Sequence, residues 1–188
     1  MGGARGLRPA RPHGLLRARK RKVGQDMDTL LIAAAEIGAL LKARGETLAV
    51  AESSSGGLVS AALLAAPGAS AYFLGGGVIY TRFARAGLLG IQDSDLDGFR
   101  ASTERYALLL ANRARERLGA TWGIGETGAT GPTGNRYGDA AGHACIAIAG
   151  PVTRALTIET GSPDRAANMR AFAAALLALL REGLEEAR

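Results

Sequence analysis

The 188-residue sequence has few of the residues that stabilise small secreted domains. Its one cysteine, Cys145, excludes an internal disulfide framework and fits a reducing compartment, so we expect a cytoplasmic protein. Aromatic residues make up only 5% of the chain, and no run of 18 apolar residues is present that would predict a membrane span. The hydrophobic share of 47%, rich in Ala and Leu, favours a globular domain in which Cys145 is a small core residue.

Acidic residues are missing from residues 1–25, which contain eight of the 23 Lys and Arg residues. The rest of the chain has 15 basic and 17 acidic residues, so the net charge of +6 comes from this segment. We predict that residues 1–26 form a basic, disordered tail, because like charges repel and little apolar surface is available for burial. The tail is either a non-specific nucleic-acid arm or an extension upstream of a natural start at Met27. No other nucleic-acid contact and no membrane partner are expected.

Strands alternate with helices along residues 27–188, and a hairpin follows. This order favours an α/β fold, a three-layer α/β/α domain with a mixed sheet. The predicted helices start at Asp28 or Thr29 as N-cap and then cover 57–65, 83–89, 102–118 and 162–186, and the predicted strands cover 47–51, 73–81, 121–126, 142–149 and 153–160.

A serine-rich loop at residues 52–57, Glu-Ser-Ser-Ser-Gly-Gly, joins a predicted strand to a predicted helix. The free N–H groups of a helix start can stabilise an oxyanion, and a serine among them is well placed for nucleophilic attack. Serine and glycine are also the ordinary residues of helix starts. The spacing alone therefore leaves both interpretations open.

A glycine-rich loop is predicted over residues 127–142. Its backbone N–H groups could surround a phosphate, but it lacks the Gly-Lys-Ser/Thr of a P-loop and the dinucleotide-binding glycine spacing. Arg136 and Tyr137 in this loop either reach over a pocket or are solvated. No metal or cofactor is indicated.

Five stretches in order resemble the CinA C-terminal domain family, which includes nicotinamide-nucleotide amidohydrolases. The family pattern Ala-Glu-Ser-Cys-Thr-Gly-Gly is similar to residues 51–57, and Pro-Gly-Ala-Ser-x-Tyr-Phe-x-Gly-Gly is similar to 67–76. Tyr-Ser-Asn-x-x-Lys resembles 80–85, Leu-Leu-Gly-Val resembles 88–91, and Thr-Gly-x-Ala-Gly-Pro resembles 127–132. The resemblance covers about residues 28–186.

The resemblance implies a homo-oligomeric enzyme that hydrolyses the amide of nicotinamide mononucleotide, with Ser53 as the nucleophile. The N–H groups near Ser55, Gly56 and Gly57 would hold the oxyanion, and the glycine-rich loop would bind the nucleotide. We therefore expect catalytic roles among Ser53, Tyr80, Arg85 and His143, and substrate binding by Glu52, Ser55, Gly56, Gly57, Thr127, Gly128, Thr130 and Gly131. Glu52 could instead orient the loop or cap the helix.

The sequence departs from the family at positions that matter for proton transfer. Arg85 replaces the family lysine, and a guanidinium keeps its proton at any accessible pH, so Arg85 cannot act as a general base. His143 stands where the family has threonine. A Ser53, His143, Glu126 arrangement would supply a new base, unless His143 and Glu126 only cap strand ends in solvent. The chain is then either an active amidase, with Tyr80 or His143 transferring the proton, or a silent paralogue that binds an anionic nucleotide.

Overall fold

The computed structural model describes residues 26–187, so the predictions made for the tail lie outside the described residues. Helix α1 begins at Met27 because Asp26 is its N-cap, its carboxylate accepting the Thr29 N–H at 3.0 Å; the predicted N-caps, Asp28 and Thr29, lie inside the helix. The helices are α1 (Met27–Arg44), α2 (Leu58–Ala65), α3 (Arg82–Leu89), α4 (Glu104–Leu118) and α5 (Arg165–Glu186), and the strands are β1 (Leu48–Glu52), β2 (Phe73–Val78), β3 (Trp122–Ala129), β4 (His143–Ala149) and β5 (Arg154–Glu159).

The described strands form one mixed sheet in the order β2-β1-β3-β4-β5. Strand β1 pairs in parallel with β2 and β3, whereas β4 pairs antiparallel with β3 and β5. The carboxyl ends of β1, β2 and β3 therefore lie side by side at one edge of the sheet. Ligands of open α/β sheets bind outside such ends.

Helices cover both faces of the sheet, which confirms the predicted three-layer α/β/α architecture. On one face, α1, α2 and α5 bury an apolar core that includes Trp122, Ile124 and Ile146. On the other face, α4 lies directly on the sheet, against Cys145 and the small residues around it. The burial of Cys145, 1% exposed, confirms it as a core residue.

Glycines in β3 let α4 approach this closely. A Cβ atom at Gly125 would lie 2.2 Å from the carbonyl oxygen of Ala107, and one at Gly123 would lie 2.0 Å from that of Ala111. Strand β3 is also longer than predicted, because Thr127, Gly128 and Ala129 pair with the start of β4 instead of opening the glycine-rich loop. In the described part of the chain, no helix is both long and apolar enough to cross a membrane.

Candidate functional site

A cleft of about 640 Å³ opens at the carboxyl ends of the three parallel strands. Ser53 follows β1, and residues 79–83 follow β2. Thr127 lies beside them, near the carboxyl end of β3. Residues from α3, α4 and the glycine-rich loop complete the wall. The cleft is lined by Ser53, Ile79, Tyr80, Thr81, Arg82, Phe83, Arg85, Asp93, Leu96, Ala101, Tyr106, Thr127, Arg136 and Tyr137.

Glu126 fixes the conformation of the serine loop. Its side chain is 0% exposed, and one carboxyl oxygen accepts the N–H groups of Ser53 and Ser55 at 2.9 and 2.8 Å and lies 2.9 Å from the Ser55 hydroxyl oxygen. The other oxygen accepts the Ser54 hydroxyl. Burial raises the pKa of Glu126, and the hydrogen bonds from the three serines oppose that rise without cancelling it.

Glu52 anchors the same loop from the other side and caps α2. Its carboxylate accepts the N–H groups of Val59 and Ser60 at 3.1 and 2.9 Å, together with the Ser55 and Ser60 hydroxyls at 2.8 and 2.6 Å. A negative group bound to the first N–H groups of a helix stabilises it. The geometry thus gives Glu52, which is 0% exposed, the role of loop anchor and helix cap, and not that of a substrate contact.

These anchors leave the Ser53 hydroxyl free. It faces the cleft and makes no hydrogen bond within residues 26–187. The predicted oxyanion site is wrong for Ser55 and Gly56, because the Ser55 N–H is donated to Glu126 and the Gly56 N–H to the Ser53 carbonyl. Within the described loop, the N–H groups of Ser54 and Gly57 remain without a partner. Ser55 is fully buried, so it also cannot touch a ligand in this conformation.

Arg85 lies in the cleft wall, 7% exposed, and forms an ion pair with Asp93. Its Nε atom is buried and has no hydrogen-bond partner among the described residues. A buried donor without an acceptor is costly, and a bound anion or water can satisfy it. Arg82 and Arg136 line the same cleft, so its charge favours an anionic ligand.

Tyr80 lines the cleft with Ser53, and its hydroxyl oxygen accepts a hydrogen bond from Arg165 Nη2 at 3.2 Å. Arg165 also donates to the Gly131 carbonyl at 2.8 Å, which ties the start of α5 to the glycine-rich loop. Phe83 is 75% exposed at the cleft and Tyr137 is 43% exposed. Exposed rings beside arginines provide surfaces on which a planar ring can stack.

The four residues of 127–131 that were predicted to bind the substrate have different positions relative to the cleft. Thr127 lines the cleft. Gly128 lies where β3 and β4 approach closely, since a Cβ there would lie 2.4 Å from the His143 carbonyl oxygen. The carbonyls of Thr130 and Gly131 accept hydrogen bonds from α5, that of Thr130 from Asn168 at 2.8 Å, so they support the loop and do not face the cleft.

The structure does not bring His143 to Ser53 and Glu126. Glu126 pairs with Ile146 on the face of the sheet that α1 and α5 cover. His143 lies on the opposite face, which α4 covers, together with Cys145. His143 contacts Glu159 and the Ser102 carbonyl and does not line the cleft. The predicted triad is therefore wrong, and so is its alternative of two solvated strand caps, because both side chains are buried.

Comparison with known proteins decides the family. Residues 31–184 match the family described as the CinA C-terminal domain. The chain belongs to the CinA C-terminal domain family. CinA-like proteins of Gloeobacter violaceus and Desulfosudis oleivorans are 42% and 35% identical to it over 140 and 168 residues, which is 74% and 88% of this chain. The chain spans only 32% and 41% of those two relatives.

Solved structures of CinA-superfamily proteins share the fold. The crystal structure from Escherichia coli superposes with a TM-score of 0.77 at 27% identity and covers 84% of this chain and 91% of its own. The competence/damage-inducible protein CihA from Agrobacterium tumefaciens gives a TM-score of 0.74 at 28% identity, with 83% and 95% covered. The CinA domain therefore accounts for most of the described residues.

Several residues of this CinA-domain cleft were not predicted from the sequence. Asp93 and Tyr106 come from segments without a motif. The helical spacing around Phe83 does not predict that its ring is exposed. Arg165 follows Asp164, which signals a helix start, but its contact with Tyr80 joins residues 85 positions apart. Arg136 and Tyr137 do line the cleft.

Proposed function

We propose that this CinA-family chain binds a pyridine nucleotide in the cleft and hydrolyses its carboxamide, converting nicotinamide mononucleotide to nicotinate mononucleotide and ammonia. One observation carries the proposal: the unbonded Ser53 hydroxyl faces a cleft that also contains arginines and exposed aromatic rings. A phosphate suits the arginines, a pyridine ring suits the aromatic surface, and a carboxamide carbon suits the serine.

In the proposed reaction, Ser53 Oγ bonds to the carboxamide carbon as its proton moves to an acceptor. The C–N bond then breaks and ammonia leaves with that proton, and water cleaves the serine ester to give the carboxylate, free Ser53 and one proton, which ammonia takes up as ammonium. We assign the proton relay to Tyr80, which lines the same cleft. His143 is not assigned this role, since both its ring nitrogens are engaged elsewhere.

The position of Arg85 favours a second candidate, binding of an anionic nucleotide without turnover. Arg85 stands where the family has lysine, and it keeps its proton in an ion pair with Asp93. In this case the cleft retains the cations that hold a phosphate but lacks a side chain that can deprotonate Ser53 at neutral pH.

Two measurements on the same protein separate the candidates. Ammonia release from nicotinamide mononucleotide is compared between the wild type and Ser53→Ala, and binding of the nucleotide is measured by calorimetry. Release that Ser53→Ala abolishes supports the amidase, and binding without release supports the silent paralogue. If Arg85→Lys gains activity, the missing proton acceptor is identified. An absence of both binding and release contradicts both candidates.

We also propose that the chain assembles into a homo-oligomer in the cytoplasm, as the family resemblance implies. Strand β2 lies at an edge of the sheet and exposes Leu74 and Val78, which makes this edge a region where a second copy could pair. Light scattering tests the assembly, and a mass near the 19.3 kDa of one chain would contradict it.

A further inference from the structure

His143 uses both ring nitrogens, and both partners are hydrogen-bond acceptors. Nδ1 lies 2.5 Å from a carboxylate oxygen of Glu159, and Nε2 lies 3.1 Å from the carbonyl oxygen of Ser102. A neutral imidazole has a single N–H group and can satisfy only one of them. The two contacts together require the imidazolium, which has an N–H on each nitrogen.

The charges around His143 favour the imidazolium. Asp139, from the glycine-rich loop, has an oxygen 3.9 Å from Nε2. Arg100 donates to both Asp139 oxygens at 2.6 and 2.9 Å, and this contact holds the pKa of Asp139 at about 2, so Asp139 is an anion at all relevant pH values. Glu159 supplies a second carboxylate from β5.

The other groups facing His143 do not reverse this balance. The Cys145 sulfur lies 3.7 Å from Nε2, and burial raises the pKa of its thiol, which keeps it neutral. Glu104 of α4 accepts the Thr157 hydroxyl next to Cys145 and adds a further negative charge. Burial lowers the pKa of His143, but the hydrogen bonds to Glu159 and Ser102 outweigh that effect and leave it raised.

Ser102 connects His143 to the cleft. It has a φ angle of +57°, in the left-handed region that is costly for residues other than glycine, and it directly precedes Thr103, the N-cap of α4. Its carbonyl accepts from His143, and its N–H is donated to the Thr127 hydroxyl at 3.3 Å. Thr127 lines the cleft, so two hydrogen bonds join the imidazole to the binding surface.

We propose that doubly protonated His143 is a positioning residue for the cleft, holding Ser102 in its left-handed conformation and, through Ser102, fixing Thr127 at the cleft wall. When His143 loses its proton, only one of its two acceptors keeps a donor, and the hold on Ser102 weakens. Ligand affinity should therefore fall as the pH rises. The identity of the ligand rests on the proposed function, but the contacts of His143 do not.

The ionisation itself is tested by NMR on the full chain with His13→Gln, which leaves His143 as the only histidine. We expect both ring nitrogens to be protonated below a midpoint that lies above the ordinary value of about 6.5, and the amide signals of Ser102 and Thr127 to shift with the same midpoint. Glu159→Gln should lower that midpoint. A midpoint at or below about 6.5, or amides that do not follow it, would overturn the proposal.

The effect on the cleft is tested by binding of nicotinamide mononucleotide between pH 7 and 9.5, above the range in which its phosphate titrates, pKa about 6. We expect affinity to fall by about tenfold across the midpoint, the size of one hydrogen bond to a charged group. His143→Gln can still donate to Ser102 but cannot titrate, so its affinity should be flat with pH. An equal pH dependence in His143→Gln would overturn the proposal. If the nucleotide does not bind at all, the proposed function fails and the amide signals alone decide the role of His143.

Discussion

Replacing Glu126 tests whether this buried carboxyl group holds the serine loop and in which protonation state. Glu126→Leu removes the acceptors of two buried donors, the Ser55 N–H and the Ser54 hydroxyl, and of the part-buried Ser53 N–H. The Ser55 hydroxyl keeps a partner in Glu52, 2.8 Å away. Each buried donor left without a partner costs about 1–3 kcal/mol, so below about pH 4.3, where Glu126 is protonated in both states, the variant should lose about 2–6 kcal/mol of unfolding free energy.

Glu126→Gln should behave differently. Its carbonyl oxygen can accept both N–H groups, and its NH₂ group can donate to the Ser54 hydroxyl, which rotates to accept. A protonated Glu126 makes the same pattern of bonds. Since burial raises the pKa of Glu126, we expect its carboxyl group to retain a proton above the pH at which the unfolded chain releases it, near 4.3.

The sign of the pH dependence follows from that raised pKa. Below about pH 4.3 both states of the wild type are protonated, and above it the unfolded state alone loses a proton, so rising pH favours unfolding. Relative to Glu126→Gln, the wild type should lose up to about 1.4 kcal/mol per pH unit until the folded group also ionises. Denaturant unfolding followed by the fluorescence of Trp122, the only tryptophan, measures this difference. A wild type that gains stability relative to the glutamine variant above pH 4.5 would show that the serine hydrogen bonds outweigh burial, contrary to this reasoning.

Three further substitutions test the packing that positions the site. Gly125→Ala would place a methyl group 2.2 Å from the Ala107 carbonyl oxygen, so its unfolding free energy should fall by about 2–4 kcal/mol; a loss below 1 kcal/mol would mean that α4 can move away from β3. Gly87→Ala, in the exposed α3 helix with open space around it, should instead stabilise the protein by about 0.5–1 kcal/mol, and a loss of stability there would contradict the helix geometry. Tyr72→Phe removes the hydroxyl that donates to the Leu63 carbonyl at 2.5 Å and should cost about 1–2 kcal/mol in denaturant unfolding, whereas an unchanged midpoint would indicate that the carbonyl finds another donor.

The layered architecture could be predicted because each element has a local signal. Apolar spacing identified the helices, and short apolar runs identified the strands. Local signals failed where several residues could play one role. Asp28 and Thr29 were the predicted caps of α1, whereas it is the Asp26 carboxylate that accepts the Thr29 N–H. In β3, glycine suggested a loop at Gly128, whereas it is the close approach of β4 that requires glycine there.

The sequence predicts which loops form the site, but it does not predict the hydrogen bonds that connect them. Ser53 and Thr127 follow from their positions near the ends of parallel strands, which topology brings together. The role of Glu126 does not follow, because its bonds to the serine loop join residues more than 70 positions apart. Glu126 shares one face of β3 with Trp122 and Ile124, and that face is opposite to the one carrying His143.

The hydrogen bonds that hold the serine loop in this domain are independent of the group that would accept the Ser53 proton. Glu52 and Glu126 satisfy the loop through Ser54, Ser55 and the start of α2, and none of these bonds uses the Ser53 hydroxyl. Stability alone can therefore maintain the loop geometry, whether or not Ser53 reacts. Arg85 places a cation at the cleft wall, and a guanidinium cannot accept a proton. The proposed amidase needs Ser53 in this geometry, but the geometry alone does not distinguish it from the proposed nucleotide-binding paralogue, and a side chain that accepts the Ser53 proton is what would decide between them.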